Sequence, residues 1–426
     1  MSGMAKHVEG SPISHATAAR LFGSRSRSAP MSRIALLGNF LPRLCGIATF
    51  TTHVHDAMRR RFPDLSVPVY AMVDPGAHYD FPEAVVGTIR QEEPGDYRQA
   101  ARSMAAQGID LLWVQHEFGI FGGSAGIHLL ELLDAVSVPV VVTLHTVLEH
   151  PNDDQRRVMA GLIERASLLI VMAERARSIL TSVYGASPDR IAVIPHGVPD
   201  RPYVAPRAAR RAIGLDDRKT ILTFGLLSPG KGIESMIRAM PGILRRSGNA
   251  IYRIAGATHP HLVAREGEAY RDRLRALAER LGVTPHIVWD DRFLAEEDLL
   301  DLIAAADVYV TPYLNGEQIT SGTLAYAAGL GKPIVSTPYI HARELLADQR
   351  GVLVDFNDAV ALGDAVGDLL VDDRRRDRMA RDIHAFSRAM TWAHLAERAL
   401  DRFDQLGGNE GADRGVFAPK RLDHRP

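Results

Sequence analysis

Cysteine is almost missing from this 426-residue chain. The single one, Cys45, rules out an intrachain disulfide or a cysteine-based zinc cluster and suits a reducing compartment. Long apolar runs are absent as well. None approaches the roughly 18–20 residues that span a bilayer, and no secretory hydrophobic segment opens the chain. Surplus charge is lacking too. With 50 basic against 51 acidic side chains, the net charge of -1 exerts no general pull toward nucleic acid or an anionic membrane. What is left, 46% apolar and 24% charged residues, describes an ordinary globular protein. Its length exceeds what one core usually holds, so two domains are expected. A cytoplasmic enzyme is the reading these absences leave.

The most informative stretch is Thr220 to Met240, TILTFGLLSPGKGIESMIRAM. Ile221, Leu222, Phe224, Leu226 and Leu227 read as a buried strand, and Ser228-Pro229-Gly230-Lys231-Gly232 breaks it. Ile233, Met236, Ile237 and Met240 then recur at helical spacing. Strand, glycine loop with one lysine, and helix together suit a phosphate: the backbone approaches closely, helix-start N–H groups face the anion, and the ammonium adds charge. The loop is one residue short of a Walker A motif, because Gly232 stands where Ser or Thr would ligate magnesium.

Strands and helices alternate throughout residues 31–405, the pattern of parallel sheets with helices on both faces. Strands are expected at 33–37, 67–73, 111–115, 138–144, 168–171 and 191–194, then again at 220–227, 252–255, 287–289, 308–312, 333–336 and 352–354. The proline-bearing segment from Pro195 to Pro206 reads as the linker. The chain therefore divides into a leader (1–30), a first doubly wound domain (31–200) and a second (201–385). A helical segment (386–405) and a polar tail (406–426) follow. The leader and tail read as disordered, and Met31 is a second possible start. Two α/β doubly wound domains facing across a cleft would bind ligands at the carboxyl ends of their strands.

Four loops fall at such ends. The first, Pro42 to Phe50, carries Gly46 just before a helix, with Cys45 read as a passive thiol. The second, Gln115 to Gly126, contains His116, Glu117 and a Gly122-x-Ser124-x-Gly126 match. A nucleophile elbow needs its serine directly after a strand, and here the strand ends near Gln115, so the match reads as chance. The third places His145 at the mouth of an apolar strand. The fourth runs from Tyr313 to Gly329. It offers Glu317 to sugar hydroxyls, and Ser321-Gly322-Thr323 at a helix start to an anion. No cation motif of the DxD type stands in these loops.

Together these loops resemble the family 4 glycosyltransferases, retaining nucleotide-sugar enzymes of the GT-B fold. The resemblance rests on CGIATFT (45–51), QHEFGIFGG (115–123), VVVTLHT (140–146), VIPHGV (193–198), GLLSPGKG (225–232) and the run ADVYVTPYLNGEQITSGTLAYAAGLGKPIVSTP (306–338). It implies that Lys231, Ser228 and Gly230 bind the donor diphosphate with Gly46, Ser321, Gly322 and Thr323. It places His145 near the transferred sugar and Glu317 on the sugar hydroxyls, as the first glutamate of an E-x7-E motif, with His116 and Glu117 toward the acceptor. It further implies a GDP- or UDP-sugar donor, no metal or other cofactor, and a carbohydrate or lipid-linked acceptor. The helix after Thr391 would cross back onto the first domain.

Two departures stand out. The second glutamate of E-x7-E falls on Ala325, and the arginine expected after Gly225 is Leu226. Either a P-loop hydrolase built on Gly225–Lys231 or a non-catalytic nucleotide-sugar binder is the alternative reading. Arg59-Arg60-Arg61 and the run Arg207–Arg211 could lend weak contact with an anionic lipid surface.

Overall fold

The computed structural model describes residues 31–407, and two parallel sheets form their core. The first sheet contains β1 (Ile34–Gly38), β2 (Val69–Val73), β3 (Val85–Arg90), β4 (Leu111–His116), β5 (Val140–Leu144), β6 (Leu168–Val171) and β7 (Ile191–Val193). Its spatial order is β3-β2-β1-β4-β5-β6-β7. The second contains β8 (Thr220–Phe224), β9 (Ile251–Ala255), β10 (Ile287–Asp290), β11 (Val308–Thr311), β12 (Ile334–Ser336) and β13 (Val352–Leu353), ordered β10-β9-β8-β11-β12-β13. All ladders are parallel. β1, β4, β5 and β8 are buried along their whole length, as strands covered by helices on both faces must be. The strand order reverses between β1 and β4 in one sheet and between β8 and β11 in the other. At such points the outgoing loops diverge and leave a crevice. The loops leaving β1, β8 and β11 border the cavity between the sheets.

The sequence expectation missed β3. Its residues alternate in exposure at the sheet edge, and Gly87 interrupts the apolar pattern. The glycine is required because a Cβ there would lie 2.8 Å from the Tyr70 ring. Three short helices, Pro206–Ala212, Pro260–Glu266 and Ile340–Leu345, were also not foreseen. The expected leader and the tail beyond residue 407 lie outside the described residues.

The presumed linker is held down. Val198 is fully buried, and it exchanges backbone hydrogen bonds with the segment before the last helix: its N–H donates to the Met390 carbonyl at 2.9 Å, and its carbonyl accepts from the Trp392 N–H at 3.3 Å. A side chain at Gly197 would place its Cβ 2.0 Å from the Trp392 ring, so only glycine lets these strands of chain meet. The helix Trp392–Gly407 then lies against the helix Gly46–Arg61 of the first domain, and Phe403 meets the Trp113 ring edge-on at 4.9 Å.

The basic runs are internally committed. Arg210 is buried against Asp307 at 2.7 Å, Arg207 pairs with Asp217, and Arg61 pairs with Glu397. Arg59 and Arg60 donate to the Leu65 and Asp56 carbonyls. Arg210 is thus part of the core, while Arg59, Arg60, Arg61, Arg207 and Arg211 stay at the surface in local contacts. Among the described residues no helix is long and apolar enough to cross a membrane.

Candidate active site

A cavity of about 360 Å³ opens between the two switch points, lined by both domains. The first domain contributes Cys45, Gly46, Thr49, Phe50 and His196, and the second Ser228, Lys231, Gln318, Thr320, Ser321, Gly322, Thr323 and Tyr326. Trp392 closes the floor from the returning segment. A second lobe of about 540 Å³ adjoins it and shares Thr49, Phe224, Gly225, Leu226, Phe293, Leu299 and Tyr326. That lobe is mostly apolar, with Leu41, Pro42, Leu44 and Leu294 on its walls. Its one arginine, Arg292, is taken by Asp290 at 3.0 Å.

Lys231 stands on a single 3-10 turn, Pro229–Lys231, and Gly232 ends that turn in the left-handed region at φ 62°. The helix Ile233–Arg246 starts only after it. A Cβ at position 232 would lie 1.9 Å from the Pro312 carbonyl oxygen, so the serine or threonine of a Walker A motif cannot stand here. The Lys231 ammonium sits over the Tyr313 ring, 4.0 Å from its centre, and among the described residues it makes no ion pair. The Tyr313 hydroxyl bonds Thr323 Oγ1 at 2.6 Å, and Thr323 Oγ1 bonds Ser321 Oγ at 3.2 Å. One unpaired cation therefore faces a helix start through a chain of hydroxyls, an arrangement that attracts an anion.

The Ser321 hydroxyl caps the helix Gly322–Gly329 by accepting from the Leu324 N–H. The Ser321 amide points away from the cavity and donates to His341 Nδ1 at 2.8 Å. Of the three predicted N–H groups, that of Ser321 is thus taken by a side chain, while those of Gly322 and Thr323 stand at the start of the helix, where no intrahelical acceptor is available.

Three predicted residues lie elsewhere. Glu317 turns to the rim, where His150 of the first domain bonds its carboxylate at 2.7 Å. This bond raises the His150 pKa above its ordinary value. Gln318, the next residue, lines the cavity instead. His145 lies one layer back, packed edge-on against Phe50 at 4.6 Å with its Nε2 bonded to Gln115. Burial pushes its pKa down to about 3. Gly230 is exposed on the loop, where its carbonyl accepts from the Leu314 N–H.

The acceptor-side pair is also internal. His116 is wholly buried between Phe118 and Phe121, and both ring nitrogens lack a partner. Glu117 accepts from the Phe118 N–H and from Thr146 Oγ1 at 2.7 Å, so it caps a short turn, and burial raises its pKa. Its serine neighbour in the elbow-like match, Ser124, is exposed on a separate turn and is not near the end of β4.

The sequence reading missed His196, Tyr326 and Trp392. His196 Nδ1 donates to the Gly197 carbonyl at 2.7 Å, so Nε2 is a bare acceptor, and it lies 3.2 Å from where a Gly322 Cβ would be. Burial lowers its pKa to about 4. The Tyr326 hydroxyl and the Trp392 indole N–H lie beside each other, and both are buried without a well-formed hydrogen bond. Buried polar groups are ordinarily hydrogen-bonded, so these two stand out on the cavity wall. Tyr326 stands at position 8 after Gln318, the spacing expected of Glu317 and Ala325. Among the described residues no three His, Cys, Asp or Glu side chains converge as a metal site.

Residues 45–201 match the model of "Glycosyltransferase Family 4", and residues 218–372 that of "Glycosyl transferases group 1". The chain is 28% identical over 311 residues to a D-inositol 3-phosphate glycosyltransferase of Corynebacterium glutamicum, covering 66% of this chain and 70% of that one. It is 32% identical over 225 residues to a GDP-mannose-dependent alpha-(1-6)-phosphatidylinositol monomannoside mannosyltransferase of Mycolicibacterium smegmatis, covering 50% and 56%. Among solved structures, the Anabaena protein HepE in complex with UDP superposes with a TM-score of 0.70 at 16% identity, covering 88% of this chain and all of that one, 100%. Sucrose-phosphate synthase of Thermosynechococcus elongatus superposes with a TM-score of 0.72 at 18% identity, covering 88% and 99%.

Proposed function

Since the chain carries both domains of a family 4 glycosyltransferase with the GT-B fold, an enzyme moving sugar from a nucleotide-sugar to an acceptor, we propose that it transfers a hexosyl group with retention of configuration. Mannose or glucose, carried on GDP or UDP, is the donor sugar. The observation that carries this reading is the convergence of Lys231 with the Gly322 and Thr323 amides on one cavity wall, facing Gly46 across the cleft.

The two lobes suit the two halves of such a donor. The diphosphate lies against Lys231, Ser228 and the helix start, and the base enters the apolar lobe beside Leu226 and Phe293. Tyr326 lines both lobes, where the ribose must pass, and its open hydroxyl meets the ribose there. Gln318 takes the sugar hydroxyls that the resemblance gave to Glu317. Leu226 makes the lobe apolar where an arginine was expected.

In the reaction the bond from the anomeric carbon to the β-phosphate oxygen breaks and its electron pair leaves on the nucleoside diphosphate. The acceptor oxygen bonds the carbon on the same face, and its proton passes to the departing phosphate oxygen. Catalysis rests on neutralising that leaving group and on positioning the acceptor. Lys231 and the two amides supply the neutralisation without a metal ion. The acceptor is a carbohydrate or lipid-linked hydroxyl on the first-domain side.

Incubation with GDP- and UDP-hexoses plus candidate acceptors, with NMR of the anomeric proton, tests the reading. It expects an α-linked product from an α-linked donor. Inverted product, or transfer that survives Lys231→Ala undiminished, would contradict it.

A further inference from the structure

The short helix Ile340–Leu345 touches the active cleft on one side and the other domain on the opposite side. Toward the cleft, the Ile340 N–H donates to the Gly316 carbonyl and the His341 N–H to the Gln318 carbonyl, both at 3.1 Å. The His341 ring accepts the Ser321 N–H through Nδ1 at 2.8 Å. The helix thus grips the 316–321 loop at both ends. His341 is buried, with 3% of its surface exposed, and its Nδ1 is available as an acceptor because the ring is neutral.

Toward the first domain, Glu344 reaches the start of the helix Glu174–Tyr184. Its two carboxylate oxygens accept the Glu174 and Arg175 N–H groups, each at 2.8 Å. That helix needs an outside partner, because Ala173 at its N-cap offers no side-chain acceptor. A carboxylate from the second domain fills the role that an Asp or Ser would ordinarily fill within the first, and the helix dipole favours its charge. Glu344 and His341 lie three residues apart on one turn of rigid helix.

We propose that this helix is a coupling strut: Glu344 ties the second domain to a helix start of the first, and His341 holds the Ser321 amide away from the cleft so that the Gly322 and Thr323 amides are the ones that face the donor phosphates. Both are positioning residues. Neither lines the cavity, and each acts through the helix start that does. Without Glu344 the strut keeps only the apolar contact of Ile340 with the first-domain core, and without the His341 ring it keeps only its backbone bonds to Gly316 and Gln318. The two losses interrupt one connection, so they should not add.

The proposal rests on the nucleotide-sugar reading of the cleft, and the test separates the two. Binding of UDP and GDP to the full chain is measured by calorimetry for wild type, Glu344→Ala, His341→Ala, His341→Asn and the double alanine variant. Far-ultraviolet circular dichroism and Tm confirm that each is folded. Each single alanine is expected to weaken the bound nucleotide by roughly threefold to tenfold, the range of a lost cap. The donor KM should rise by the same factor, with kcat changed less. His341→Asn, whose Oδ1 can take the place of Nδ1, should recover most of the affinity. The double variant should be no weaker than the worse single by more than about twofold. Folded Glu344→Ala or His341→Ala with wild-type nucleotide affinity and KM would overturn the strut, and so would a double variant whose losses multiply. If wild type binds neither UDP nor GDP, nor their hexose conjugates, the reading of the cleft fails and not the strut alone.

Discussion

The Lys231 ammonium rests 4.0 Å above the centre of the Tyr313 ring, and the hydroxyl of that same ring bonds Thr323 at the facing helix start. The aromatic face holds the cation without a carboxylate to neutralise it, so its charge stays available to an anion. Lys231→Met should lower kcat/KM for the donor by more than about a hundredfold, the scale seen when one leaving-group stabiliser is lost. Tm should stay within a few degrees of wild type, because the ammonium makes no ion pair.

Glu317 and Gln318 are adjacent and face opposite ways. The carboxylate meets His150 at the rim, whereas Gln318 lines the cavity with its amide nitrogen donating to the Thr320 carbonyl at 2.9 Å, which leaves its amide oxygen to a ligand. Gln318→Ala is therefore expected to reduce kcat/KM by about tenfold to a hundredfold, the cost of two or so lost hydrogen bonds to the sugar. Glu317→Ala should cost less than that. Steady-state kinetics on the two variants decides which residue touches the donor, and a larger loss at Glu317 would restore the E-x7-E assignment.

Tyr326→Phe should separate stability from function. The hydroxyl is buried without a well-formed hydrogen bond, so its removal is neutral or stabilising by about 1 kcal/mol. Donor affinity should fall by about tenfold, the worth of one good hydrogen bond to a ribose oxygen. Tm and the inhibition constant of the free nucleoside diphosphate, measured on the same preparation, check both signs together. A destabilised variant with unchanged affinity would show that the hydroxyl serves the fold.

Acid should unfold this protein early. Burial lowers the pKa of His53 and His196 to about 4, and of His116, His145 and His341 to about 3. Each is depressed below the ordinary value, so between pH 6.5 and 4 the unfolded chain binds more protons than the folded one, and stability falls as pH falls. At pH 5 a histidine held fully neutral contributes a loss of about 2 kcal/mol. Two acting in full would remove a large share of a typical stability of roughly 5–15 kcal/mol. Tm measured at pH 7, 6 and 5 should drop steeply below pH 6.5, and a flat profile would contradict the buried, uncharged state of these rings.

Much of the architecture could be read from the chain, because fully covered parallel strands are continuous apolar runs and their glycine loops recur in order. β3 could not, since half of its side chains face solvent and Gly87 is there to make room for Tyr70. In the site, Gly46, Ser228, Lys231, Ser321, Gly322 and Thr323 were identifiable from loop chemistry and do share one cavity. Glu317 and His145 do not line the cavity: a loop's register decides which of Glu317 and Gln318 faces inward, and His145 is set one layer behind Phe50, neither of which sequence spacing shows. Tyr326 and Trp392 carry no local signal: each reads as a core aromatic, and only their unpartnered polar atoms distinguish them.

The central proposal is that the cavity between Lys231 and Gly46 holds a nucleotide-sugar. Thermal denaturation of wild type and Lys231→Met across GDP- and UDP-hexose concentrations tests it most directly, since a ligand bound only to the folded state raises Tm by mass action. The expected result is a concentration-dependent rise in wild type for at least one donor, and a rise shifted to at least about tenfold higher concentration in Lys231→Met. An equal rise in both proteins, or no rise in wild type with any donor, would contradict it.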